Sequence, residues 1–105
     1  MGETELQSAI LDTLRRVYDE TFAQFARNNT GRRGRVSFGL GKGSPDLIGC
    51  VNGRMVCLEV KTDDGKVSAD QAEWHLRWSA AGAHVEVVRS GSDALAAVQR
   101  SQETA

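Results

Sequence analysis

Three residues of this chain have the types and spacing to do chemistry together: Asp46, Glu59 and Lys61. They lie near the two ends of one stretch, Ser44 to Lys61, in which two apolar runs flank Asn52-Gly53. Asn-Gly between such runs is the strongest short-range signal for a two-residue type I′ hairpin. Counting outward from that turn sets Val51 against Arg54, Ile48 against Cys57, Leu47 against Leu58 and Asp46 against Glu59. Directly opposite residues share a sheet face, with Cβ atoms roughly 4.5–5.5 Å apart. Lys61, two residues beyond Glu59, points to that same face. Like charges placed opposite one another destabilise a sheet, and burial drives at least one of the acids to take a proton. A hard divalent cation removes the conflict, because it takes one or two carboxylates and keeps waters for reaction. Bound there, it would lower the pKa of a water, orient it and stabilise phosphoryl oxygens. Taken singly, Asp46 reads as a turn residue after Pro45, Glu59 as a solvated acid and Lys61 as its ion partner.

The elements that must hold these groups fit one domain of 105 residues, with 100–105 as a tail. A hydrophobic content of 40% and a charged content of 26% describe an ordinary globule. Residues 3 to about 26 read as a helix, with Leu6, Ile10, Leu14 and Val17 on one stripe and Phe22 and Phe25 continuing it. Glu3 lies within roughly 20° of Ile10 and Leu14, and Gln7 one turn on falls on the same stripe, while Glu5 points away. Acids in a first turn are also simply favourable with the helix dipole. Cys50 and Cys57 are diagonal in the deduced register, a poor disulfide geometry, and read as buried thiols of a reducing compartment. No apolar run reaches membrane-spanning length and Met1-Gly2-Glu3 begins no signal peptide, so the expected location is cytoplasmic, away from membranes.

Charge is segregated along the chain. Residues 27–43 carry five basic residues and no acid, within a net charge of −1. Such a stretch suits phosphate contacts, which position a nucleic acid without reading its sequence, and Arg32, Arg33, Arg35 and Lys42 are the candidate DNA-binding residues. Its plain alternative is a solvated loop. Residues 35–38 are expected to add a third antiparallel strand to the hairpin. Gly39 to Gly43 lacks the spacing of a phosphate-binding P-loop, so no nucleotide cofactor is expected. After a polar loop, in which Asp63 and Asp64 read as turn formers, Ser68 and Gln71 form a capping box. The helix they open runs to about Ala81, with Trp74 and Trp78 facing the core, Gly82 as its stop and His75 on the surface. Residues 83–88 read as a strand, parallel within the sheet if reached through that helix. A last helix begins after Ser90, with Leu95 and Val98 inward. The pattern is a mixed α/β sandwich.

Pro45-Asp46, twelve residues, then Glu59-Val60-Lys61 resembles the PD-(D/E)xK signature of restriction-endonuclease-like nucleases. With Gly41-Lys42-Gly43 ahead of it, and Gln71 and Trp74 behind, the chain from about Glu3 to Val98 resembles the VRR-NUC family of virus-type replication and repair nucleases. PD…ExK alone is loose; the ordered set is more specific. The resemblance implies an αβββαβ(α) mixed sheet flanked by helices and a Mg²⁺- or Mn²⁺-dependent deoxyribonuclease. Asp46, Glu59 and the Val60 backbone carbonyl would bind the ion. A first-helix glutamate, Glu3 or Glu5, would complete the site, and Lys61 would hold or activate the attacking water. Gln71 would support Lys61 or that water, beside its capping role. The resemblance further implies a homodimer, selection by DNA shape on junctions or flaps, and a bacterial or phage-infected host. A DNA-binding accessory module that does not cut, or a metal-stabilised structural domain, would account for the same residues in other ways.

Overall fold

Asn52 and Gly53 both adopt positive φ, 49° and 83°, in the computed structural model, which describes residues 1–103. That is the type I′ requirement, and it sets the hairpin between β4 (Leu47–Val51) and β5 (Arg54–Val60). Val51 pairs with Arg54, Ile48 with Cys57 and Leu47 with Leu58, the register deduced from the turn. Two further strands complete a mixed four-stranded sheet. β1 (Ala23–Arg27) lies antiparallel against β4, and β6 (His84–Val88) lies parallel to β5, giving the order β1-β4-β5-β6.

Helix α1 (Glu3–Val17) and helix α3 (Gly91–Glu103) cover one face of the sheet. Ile10, Leu11 and Leu14 meet Ala94, Ala97 and Val98 over Leu47, Val56, Leu58 and Val60. Helix α2 (Ala69–Ala80) covers the other face with Trp74, which is buried, and Trp78, whose rings stack at 4.5 Å. Along β5 the side chains alternate between these layers, as a pleated strand requires. Leu58 and Val60 go to the first layer, Cys57 to the tryptophan layer, and Glu59 and Lys61 therefore to the α2 side as well.

Several expectations need correction. The first helix ends at Val17 rather than near 26. Asp19 forms an Asx-turn, accepting from the Thr21 N–H at 2.8 Å, and the chain then enters β1 with Ala23 and Phe25 buried and Gln24 and Ala26 exposed. That period of two is a strand's. β1 thus fills the third antiparallel position expected for residues 35–38. Those pair elsewhere, as β3 (Val36–Phe38) against β2 (Gly31–Arg33) in a separate two-stranded ribbon. The supposed tail from Arg100 is helical through Glu103, with Ser101 buried and Arg100 forked onto Glu86; residues 104–105 lie outside the described residues. Both cysteines are free, but Cys50 is exposed and only Cys57 is buried.

The loop leading into β4 is seated on the first turn of α2. Gly43 has φ +85°, and a Cβ there would stand 2.4 Å from the Asp70 carbonyl oxygen. Only glycine satisfies both the positive φ and this approach. Gly43→Ala is expected to lower the unfolding free energy by about 1–3 kcal/mol. Urea denaturation at unchanged slope checks this, and a loss under about 0.5 kcal/mol, the range of neutral surface changes, would show that the contact gives way.

Candidate metal centre

Asp46 sits one residue before β4 and is fixed at both its backbone and its side chain. Its carbonyl accepts the Asn28 N–H at 2.8 Å, and its Oδ2 accepts the Val60 N–H at 2.8 Å. The Asn28 side chain secures the approach, donating to Ser44 Oγ and the Pro45 carbonyl, both at 2.8 Å, and accepting from Leu40 N. Trp74 Nε1 donates to the Leu40 carbonyl at 3.3 Å, so α2 holds the same loop from the other side. Asn28 is a positioning residue that sequence reasoning missed; nothing in its local context marks it.

Glu59, on the central strand β5, is 1% exposed. Carboxylate oxygens of Glu3, Asp46 and Glu59 all lie within 4.8 Å of one another. Glu3 reaches this point from the helix layer behind the sheet. Arg27, at the end of β1, clamps that helix by donating to Gln7 Oε1 at 2.8 Å and to Ser8 Oγ. The choice between the first-turn acids follows from geometry: Glu3 joins the cluster, while Glu5 Oε2 accepts the Gly2 N–H at the helix start. Lys61 is buried beside Glu59, its stem packed where a Cβ on Gly65 would come within 3.2 Å. A strand residue sends its N–H and C=O to the same edge. Val60 N–H points to Asp46 whereas Lys61 N–H bonds Val88 on β6, so the Val60 carbonyl faces the Asp46 side of β5.

The electrostatics are those of crowded acids. Loss of water pushes the Glu59 carboxyl up to about 9, reinforced by a proton shared with Asp46, by repulsion from Asp46 and by Glu3, against a smaller opposing pull from Lys61. One oxygen of Glu59, Oε1, is buried with no hydrogen-bond partner. The histidine expected on the surface is tucked against it: His75 Nε2 lies 3.8 Å from Glu59 Oε1 and is equally without a partner. An oxygen-only donor set of three carboxylates gathered within 4.8 Å fits a hard divalent cation.

The remaining candidates are placed differently. Gln71 closes the capping box, its Oε1 accepting Ser68 N–H at 2.9 Å and its own N–H donating to Ser68 Oγ at 3.2 Å. Arg32, Arg33 and Arg35 are exposed on the β2–β3 ribbon, and Lys42 is paired with Asp70 at 3.3 Å. The ribbon springs from the corner that holds Asp46, since Thr30 Oγ1 accepts from Gly41 N at 3.3 Å beside the Asn28 contacts. Among the described residues, no helix is long and apolar enough to cross a membrane. Compared with models of known families and with curated proteins, the chain matches none.

Because the folded carboxyl of Glu59 binds its proton more tightly than an unfolded glutamate, its stabilising share is complete below the ordinary value of 4.5 and is lost as pH rises toward about 9. In chelator, the melting temperature should therefore fall across that window, and Glu59→Gln should flatten the fall; parallel profiles for the two proteins would refute the assignment. Asp46→Asn keeps an acceptor for Val60 N–H and removes the charge facing Glu59. In EDTA it should melt at or above the wild-type temperature, while binding Mn²⁺ at least tenfold more weakly by calorimetry, as loss of a direct carboxylate ligand implies. A large drop in melting temperature would mean that the charge itself holds the fold.

Proposed function

We propose that the chain is a divalent-metal-dependent nuclease that hydrolyses phosphodiester bonds in DNA, with a restriction-endonuclease-like arrangement of the VRR-NUC kind. The observation that carries this is the meeting of three carboxylates from three elements, one of them buried, with a buried lysine at the end of the same strand pulling on that acid. The αβββαβα order of the elements that build the main sheet and its helices, with β1, β4 and β5 as the three antiparallel strands, is compatible with it.

Asp46, Glu59 and Glu3 would hold Mg²⁺ or Mn²⁺, with the Val60 carbonyl as a further donor. When bound, such an ion supplies Lewis acidity toward a phosphoryl oxygen and acidifies a coordinated water. Lys61 would orient the attacking water by donating to it, and its fixed positive charge would offset the negative charge that grows on the phosphoryl oxygens. The water oxygen would bond to phosphorus as the bond to the leaving sugar oxygen breaks; the proton the water loses would pass to solvent, and the leaving oxygen would take one from solvent, so that one water is consumed. Arg32, Arg33, Arg35 and Lys42 would bear on backbone phosphates, which fixes register and carries no sequence information. Selection would then come from DNA shape, with junctions and flaps as candidates and a second copy for the second strand.

Branched and linear DNA incubated with Mg²⁺, Mn²⁺ or EDTA test this. Cleavage should require the metal, and Lys61→Ala should lower its rate by about 100-fold or more, the scale for losing one preorganised charge at a transition state. The variant should still fold and still bind DNA. Binding without cutting in every metal would instead make the chain an accessory module.

A further inference from the structure

We propose that His75 is a positioning residue of the acid cluster: its Nε2–H donates to Glu59 Oε1 and fixes which way that carboxylate faces. The proposal rests on the metal-site reading above and goes beyond its set of residues.

Two buried polar atoms face one another here, 3.8 Å apart, and neither has another hydrogen-bond partner. Leaving both unpaired is unfavourable, and a shift of under an ångström would bring them to the usual hydrogen-bond distance. The imidazole is well delivered for this. Trp74, the preceding residue, is buried, stacked on Trp78 and hydrogen-bonded to Leu40, so the rotation of α2 about its axis is set. The His75 ring stands edge-on to Trp74, at 86° and 6.4 Å between centroids. Burial, and then the Lys61 ammonium, favour the neutral ring, which has a single N–H to give. Given to Oε1, it satisfies that oxygen and leaves the other oxygen of Glu59 to turn toward Asp46 and Glu3. A carboxylate on a strand swivels about its own side chain, and a donor on one oxygen restricts that swivel. This is the work done by the hydrogen-bonded partners of metal ligands, whose loss typically weakens binding by about 10- to 100-fold.

The test compares Mn²⁺ binding to the full chain with binding to His75→Gln and His75→Leu by calorimetry. Glutamine keeps an N–H donor at nearly the same reach; leucine keeps bulk without one. Support would be wild-type-like affinity for His75→Gln and about 10- to 100-fold weaker affinity for His75→Leu. Equal affinity for His75→Leu and the wild type overturns the proposal, as does a His75→Gln that binds as weakly as His75→Leu. A wild-type chain that binds no Mn²⁺ overturns the metal site itself, a distinct result. Nitrogen chemical shifts of His75 in the unsubstituted protein, with Mg²⁺ added, provide a readout that does not depend on the variants folding. A proton on Nε2 supports the assignment, and a bare Nε2 with the proton on Nδ1 defeats it.

Discussion

A carboxylate on the central strand of a sheet, shut off from water and facing a second carboxylate, cannot be ionised at neutral pH without a compensating charge. Glu59 and Asp46 are in that position, and the rest of the structure can be understood as what keeps them there. The tight turn at Asn52-Gly53 sets the register that brings them near one another. The Val60 N–H and the Asn28 bonds stop Asp46 from swinging away to water. Trp74 closes the α2 side, and Arg27 holds the helix that delivers a third acid, Glu3, to the same point. A side chain free to relax would relieve the repulsion by moving. Here Asp46 is tied to the Val60 N–H, and Glu59 is buried on the central strand.

Much of this was legible in the sequence because the decisive signals were short-range. Asn-Gly dictates a turn from two residues, the turn dictates the pairing of ten, and the observed ladder follows it from Val51–Arg54 to Leu47–Leu58. The Ser68–Gln71 capping box is likewise written within four residues and forms as expected. Helical angle favoured Glu3 over Glu5 without deciding between them, and it is Glu3 that joins the cluster.

What the sequence hid depends on contacts between distant parts. Phe22 and Phe25 are three apart, a helical spacing, but only Phe25 is buried; the Asp19 turn and the alternation from Ala23 to Ala26 were the overlooked signals. Residues 36–38 have the composition of a strand, and their partner was a matter of topology. Gly31, lacking a side chain, lets the Phe38 ring lie across it, which favours the local ribbon over the main sheet. His75 follows Trp74 by about 100° around the helix and so reads as surface. It is covered because the sheet extends under that side of α2, and helical periodicity on its own does not reveal how wide an arc a sheet will cover.

The same constraint links stability to the proposed chemistry. The three acids come from α1, from the entry to β4 and from β5, so a cation held by all of them would tie two layers of the fold together at one corner. Any ligand that binds only the folded state stabilises it in proportion to the logarithm of its concentration over its dissociation constant. Without one, burial and the neighbouring Asp46 favour the protonated form of Glu59. A proton and a cation would therefore compete for the same electrostatic position. Deprotonation to admit a cation would also leave Glu59 Oε1 charged and in need of a donor, and the buried, unpartnered Nε2 of His75 faces it at 3.8 Å. With a cation bound and the imidazole donating, the acids and His75 would form a set in which each buried polar group has a partner.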